Sequence, residues 1–231
     1  MATEVVHRVA EILKLFNSRS CQLVLGAGAM QVSGLKSITA KHLATASQGI
    51  SLYIALIPDI RRLLSAHIPD ARKALLLSEV DRVVNDYRVH RDEIHSKLVA
   101  IMRERLQVHL KVLPQLAEHW SKPDDRDAEP SKFATDLARE VGILYKVLLP
   151  FLTDAELRSI FTRVVILFHT QLTEAFSKVD ASTPPAKRRL YRDVKHLLEG
   201  ISILPIMPSM VGKPKDLDTF MLHRFGNQPP P

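Results

Sequence analysis

One cysteine, one tryptophan and eight glycines stand in 231 residues. A lone thiol, Cys21, excludes an intrachain disulfide framework and a cysteine-based zinc site, and it fits a reducing compartment. So few glycines argue against a Gly-rich phosphate cradle and against many tight hairpins. Long hydrophobic runs are missing as well. The longest uncharged stretches, 20–35 and 42–58, carry Gln, Ser and Gly, and both fall short of the roughly 20 apolar residues of a spanning helix. The first sixteen residues place Glu4 and Glu11 in an amphipathic stretch. They lack the basic start, solid apolar centre and small-residue cleavage site of a signal peptide. These absences together predict a soluble chain on the cytosolic side.

What is present is helical apolar spacing and a basic excess. The formal net charge is +7 and apolar residues make up 46%. The excess sits at both ends of the chain, while 114–183 is net acidic. Steps of three and four dominate the apolar pattern. A first helix carries Val5, Val6, Val9, Ile12, Leu13 and Phe16 and is expected to end at Asn17-Ser18. Ser33-Gly34 reads as a break and Ser37 or Thr39 as the next N-cap. Pro58 kinks the helix that follows or starts another. The longest periodic segment runs from Pro69 to about Leu113, free of Gly and Pro after its first residue. Residues 114–130, with three prolines and five acids, read as a loop. Thr153 and Glu156 have capping-box spacing. Pro184-Pro185 starts a last helix that Gly200 is expected to close. The fold class is therefore all-α, an elongated antiparallel helical bundle of six to eight helices over residues 1–200. A Pro-containing tail over 201–231 is expected to be irregular or weakly docked.

Catalytic patterns are not found. Gly26-Ala27-Gly28-Ala29-Met30-Gln31 brushes the dinucleotide fingerprint, but Gln31 takes the third glycine's place. No acid occurs between Glu11 and Asp59 to meet a ribose. Close helix packing by small residues is the simpler account of Gly26 and Gly28. His90 and His95 are five apart, about 140° around a helix, where a zinc helix needs four. His90, His95 and His109 are expected on a solvated or half-buried face, and His42 and His169 as satisfied core histidines. The apolar neighbours of Cys21 suggest a buried structural thiol. The chain reads as no enzyme, with no cofactor, metal or small-molecule substrate. The densest basic cluster, Lys187, Arg188, Arg189, Arg192 and Lys195, is the candidate surface for an acidic partner or lipid headgroups. Only Tyr191 interleaves with it, so a nucleic-acid module is the alternative reading rather than the first.

Residues 15–44 read LFNSRSCQLVLGAGAMQVSGLKSITAKHLA, and 95–102 read HSKLVAIM. Both segments, with the weaker match Lys215-Asp216-Leu217-Asp218, resemble the vacuolar protein sorting-associated protein 54 family. Members of that family are subunits of the Golgi-associated retrograde protein complex, GARP. The resemblance covers 5–220 in order and is looser beyond about 114. It implies the C-terminal domain of a non-catalytic tether built from helical rods. It also implies retrograde transport from endosomes to the trans-Golgi network. The implied partners are other GARP subunits and SNAREs, met through the full-length protein, and an endosomal membrane or membrane-bound protein. The implied location is cytosolic, at the periphery of trans-Golgi and endosomal membranes. Within the motif, Gln22, Gly26, Gly28, Lys36, Thr39, Lys41 and His42 serve packing or binding. Its glycines and alanines point to packing, and Gln22, Lys36, Lys41 and His42 are the residues that could be exposed.

Overall fold

The computed structural model describes residues 2–122, 129–226 and 230. The acids Asp124, Asp125 and Asp127 of the expected loop lie outside them. Among the described residues there are helices and no strands. The chain divides into two compact units, Met1–Leu98 and Val99–Pro231.

The first unit contains α1 (Ala2–Val24), α2 (Ala29–Ser33), α3 (Ala40–Ser65) and the first part of α4 (Asp70–Ala117). Helix α1 runs past the expected stop at Asn17-Ser18, and the side chain of Asn17 shows why. Its Oδ1 accepts the His90 Nδ1–H at 2.8 Å, so Asn17 is held on a helix face rather than left to compete for the backbone. Tyr87 is fully buried, and its hydroxyl donates to the Leu13 carbonyl at 2.8 Å. The Phe16 ring lies 4.3 Å from that of Tyr53 and 6.4 Å from that of Tyr87. Val6, Ala10 and Leu13 of α1, Leu43, Ile50 and Ile57 of α3, and Val80, Val83, Ile94 and Leu98 of α4 complete the core. Val5 and Ile12 belong to the sequence's apolar stripe, yet both are exposed.

Thr39 is the cap that starts α3, and Pro58 sits inside a continuous helix. By length and composition α3 would suffice to cross a membrane, where the uncharged run alone fell short. It gives Leu43, Ala44, Ser47, Ile50 and Ile57 to the core of this unit, and crossing a membrane would take all five away. Ser47 Oγ and His95 Nε2 share a buried hydrogen bond of 2.9 Å. His90 and His95 are thus buried, against the expectation of a solvated or half-buried face. Each ring has a polar partner, which is what lets an imidazole leave water.

The second unit holds the rest of α4, then α5 (Lys132–Leu148), α6 (Asp154–Ser177), α7 (Pro184–Ser202), a 3₁₀ turn (Pro208–Met210) and α8 (Asp216–Phe225). Helix α4 continues one turn beyond Leu113 with Pro114 inside it, and Glu118 N–H reaches the Pro114 carbonyl at 3.2 Å. The Thr153–Glu156 capping box forms, with Thr153 N–H donating to Glu156 Oε2 at 2.9 Å. Phe133, Phe161, Phe168, Phe176, Leu172, Leu190, Val194 and Leu197 fill the core.

Gly200 does not close α7, which continues to Ser202. A Cβ at 200 would stand 3.0 Å from the Cβ of Ala138, so this glycine lets α5 and α7 approach closely. Where an irregular or weakly docked tail is expected, α8 docks on α6 and α7. Leu217 is fully buried and its N–H donates to His169 Nδ1 at 3.3 Å. Thr170 Oγ1 donates to Asp216 Oδ2 at 2.7 Å, and the rings of Tyr191 and Phe225 meet edge to face.

Candidate binding surfaces

The motif at 22–42 is a joint between helices. Helix α1 ends at Val24, and Gly28 at φ 80° and Gly34 at φ 69° bracket α2. Positive φ at these two positions is what the turns demand and what Gly tolerates. A Cβ on Gly26 would meet the Gln22 Cα at 3.2 Å, so Gly26 is held by the turn's own backbone. Neither Gly26 nor Gly28 serves the helix-to-helix approach expected of them. Thr39 and His42 cap α3 reciprocally, with His42 N–H donating to Thr39 Oγ1 and Thr39 N–H donating to His42 Nδ1 at 3.2 Å. His42 is therefore a half-buried capping residue rather than a core histidine. Gln22, Lys36 and Lys41 are exposed. Gln22 Oε1 accepts from Arg19 at 3.2 Å.

A cavity of 380 Å³ lies beside this joint, lined by Cys21, Gln22, Gly26, Asp86, His90 and Glu93 among others. Burial pushes the Cys21 thiol above its ordinary value, and Glu93 adds to the shift, so the thiol stays protonated. Burial holds the His90 imidazole below its ordinary 6.5, with Glu93 opposing. The unfolded chain therefore takes up this proton first as pH falls. The contribution of neutral His90 to stability is complete above pH 6.5 and is lost as pH drops from there through the lowered folded value. His90→Gln is expected to flatten the slope of unfolding free energy between neutral pH and the mid-acid range, measured by urea titration at several pH values.

The basic cluster on α7 divides. Lys187 and Lys195 are exposed and Arg188 is half-buried. Arg189 is buried, and its Nη1 donates to the His119 carbonyl at 3.0 Å. Arg192 turns toward Asp193, with Nε 3.8 Å from Oδ1. Asp193 is fully buried and accepts the Ser131 N–H at 2.8 Å, which ties α7 to the N-cap of α5. Burial raises the Asp193 carboxyl above its ordinary value, and the bond from Ser131 opposes the rise. The period of α7 explains the division, because Arg189 and Asp193 are four apart on the face that also carries Leu190, Val194 and Leu197. The five basic residues are not one solvent face.

A groove of 650 Å³ in the second unit lies between the ends of α4 and α6, lined by Leu110, Leu113, Ala117, Ala175 and Val179 with Gln107 and Gln171. Its one basic group, Lys178, pairs with Glu174 at 2.7 Å. Among the described residues no group of three or more His, Cys, Asp or Glu side chains is placed to hold a metal ion.

Residues 1–105 match the family described as Vps54-like protein. The chain is 49% identical over 205 residues to the protein named vacuolar protein sorting-associated protein 54, chloroplastic, of Arabidopsis thaliana. That alignment covers 89% of the chain and 20% of the relative. Vacuolar protein sorting-associated protein 54 of Homo sapiens is 33% identical over 180 residues, covering 78% of the chain and 17% of the relative. The Schizosaccharomyces pombe relative of that name is 34% identical over 148 residues, covering 64% of the chain and 14% of the relative. The chain belongs to the Vps54 family. It spans about a fifth of the length of the relatives it matches. The matched region of the family, residues 1–105, contains the 22–42 joint, and the Arabidopsis alignment extends well beyond it.

Proposed function

We propose that the chain is a non-catalytic part of a protein-sorting subunit, the C-terminal domain of a Vps54-type tether in the GARP complex. It acts by binding, and serves retrograde transport from endosomes to the trans-Golgi network. Membership of the Vps54 family carries this reading, since the relatives that match most of the chain are named for vacuolar protein sorting. The arrangement fits a binding part, because the buried His90, His95 and Asp193 are each tied to a residue of a neighbouring helix or its cap. The partners proposed are the other subunits of the complex and SNAREs, met by the longer protein, and an endosomal membrane or a protein on it. The chain would work from the cytosol at the periphery of those membranes.

With Arg189 and Arg192 drawn inward, Lys187, Arg188 and Lys195 remain as the outer basic residues, which leaves little of the continuous backbone-tracking groove that the nucleic-acid alternative needs. A fluorescent fusion of the 231-residue chain, imaged beside endosomal and Golgi markers, is the test. Puncta on endosomes are expected, weakened by Lys187→Glu with Lys195→Glu. A diffuse signal, unchanged by those substitutions, would remove endosome targeting from this part of the protein.

A further inference from the structure

Two helices of the first unit are apolar on more than the side they bury. Successive residues of a helix turn by about 100°. On α1 the buried residues Val6, Ala10 and Leu13 form one stripe, which faces α4 where Leu13 takes the Tyr87 hydroxyl. Val5, Ile12 and Leu23 fall within about 20° of one another, about 120° from that stripe. All three are exposed, Ile12 at 66%. On α3 the buried residues face α4 through the Ser47–His95 bond. Leu52, Leu56 and Leu63 form a second stripe within about 40°, about 170° from the buried one. They too are exposed, at 57%, 43% and 65%.

The two outer stripes share a side. Phe16 of α1 and Tyr53 of α3 meet at 4.3 Å, and each lies on its own helix between the buried stripe and the outer one. Helix α1 runs parallel to α4, as the His7–Glu79 and Asn17–His90 contacts show, and α3 runs antiparallel, as Ser47–His95 and Arg61–Asp81 show. With those directions fixed, both outer stripes point away from α4 and flank the α1/α3 groove. Val5 stands near the Leu63 end and Leu23 near the start of α3. From Val5 to Leu23 the groove is about 27 Å long, five turns of a further helix.

Charge decides what fits there. No acid occurs between Glu11 and Asp59. At the Leu23 end Arg19 and Lys41 fall within about 40° of the outer stripes of α1 and α3, Lys36 lies in the segment that joins α2 to α3, and among the described residues none of the three has a carboxylate partner. At the other end Arg8 is paired with Glu4 and Glu11, and Asp59 with Arg62. A bilayer would need basic groups all round the apolar strip. Here one end carries bases without a carboxylate, and at the other end Arg8 and Arg62 are already neutralised by carboxylates.

We propose that the outer α1/α3 groove is a docking site for an amphipathic helix of another protein, with an apolar stripe at i, i+4, i+7 and i+11 and acidic residues at one end. Its apolar stripe covers Ile12, Leu52, Leu56 and Leu63, and its acidic end meets Arg19, Lys36 and Lys41. The site rests on the fold of the first unit and not on the sorting role proposed above.

The probe is a fluorescent 20-residue peptide with leucines at that spacing and glutamates at one end, titrated with the 231-residue chain by anisotropy. Saturable binding is expected. Leu52→Gln with Leu63→Gln, and separately Arg19→Glu with Lys41→Glu, should each weaken it by about tenfold or more. Circular dichroism should stay unchanged, because all four positions face solvent. The same peptide with lysines in place of the glutamates should bind at least about tenfold more weakly. Equal binding of the two peptides, or binding indifferent to the substitutions, would overturn the proposal. So would self-association of the chain that Leu52→Gln with Leu63→Gln abolishes, or sedimentation with phosphatidylserine vesicles lost in the same variant. Protection of the matching stripe from hydrogen exchange in the full-length Arabidopsis relative, purified alone, would show an intramolecular cover and overturn it as well.

Discussion

Tyr87→Ala is expected to remove most of the stability of the first unit, about 3–5 kcal/mol. The ring is fully buried between α1 and α3, 6.4 Å from Phe16 and 5.8 Å from Tyr53. Truncation would leave a cavity that two other aromatic rings line and cannot fill without leaving their own contacts. The hydroxyl adds a smaller, separable part. Burial pushes the phenol far above its ordinary value, with Tyr53 adding to the shift, so the group is a permanent donor to the Leu13 carbonyl. Tyr87→Phe keeps the ring and loses that bond, and should cost about 1 kcal/mol. Urea unfolding followed by far-ultraviolet circular dichroism measures both. Equal losses for the two variants would mean that the hydrogen bond, and not the packing, holds α1 on α4.

Arg189→Glu should unfold the second unit or come close to it, while Lys187→Glu and Lys195→Glu leave its stability within about 0.5 kcal/mol. A glutamate at 189 would bury a carboxylate where a guanidinium now donates to the His119 carbonyl, one helical turn from the buried Asp193. Breaking a buried charged arrangement costs about 3–5 kcal/mol, and a like charge beside Asp193 adds to it. Trp120 is buried in this unit beside His119, whose carbonyl takes the Arg189 bond, so its fluorescence reports the transition. The distinction matters for any test of recruitment. A charge reversal of all five basic residues would abolish any binding signal through unfolding, whereas Lys187 and Lys195 probe the surface alone. A midpoint for Arg189→Glu equal to that of the unaltered chain would show that the Arg189 side chain can leave the interior freely.

The helical class was legible because the apolar residues recur at three and four over nearly the whole chain, and that period has one structural meaning. The caps were legible too. Thr39, Thr153 and Pro184 carry local chemistry that works between residues three apart, with little help from tertiary contacts.

Three features were decided by the tertiary structure. Which apolar stripe of α1 is buried could not be read, because Val5, Val6, Ile12 and Leu13 occupy two adjacent faces and only the position of α4 chooses between them. Gly200 has the signature of a helix end, yet Ala138 on a neighbouring helix makes it a contact inside α7. The charge of a side chain does not say whether it faces water. Arg189 and Lys187 are equal in the sequence, and the turn of α7 places one against a carbonyl in the interior and the other in solvent. Periodicity and capping are properties of a chain with itself over a few residues. Partner choice, burial of a charge and close approach depend on what another segment brings across space, and that is settled only when the helices pack.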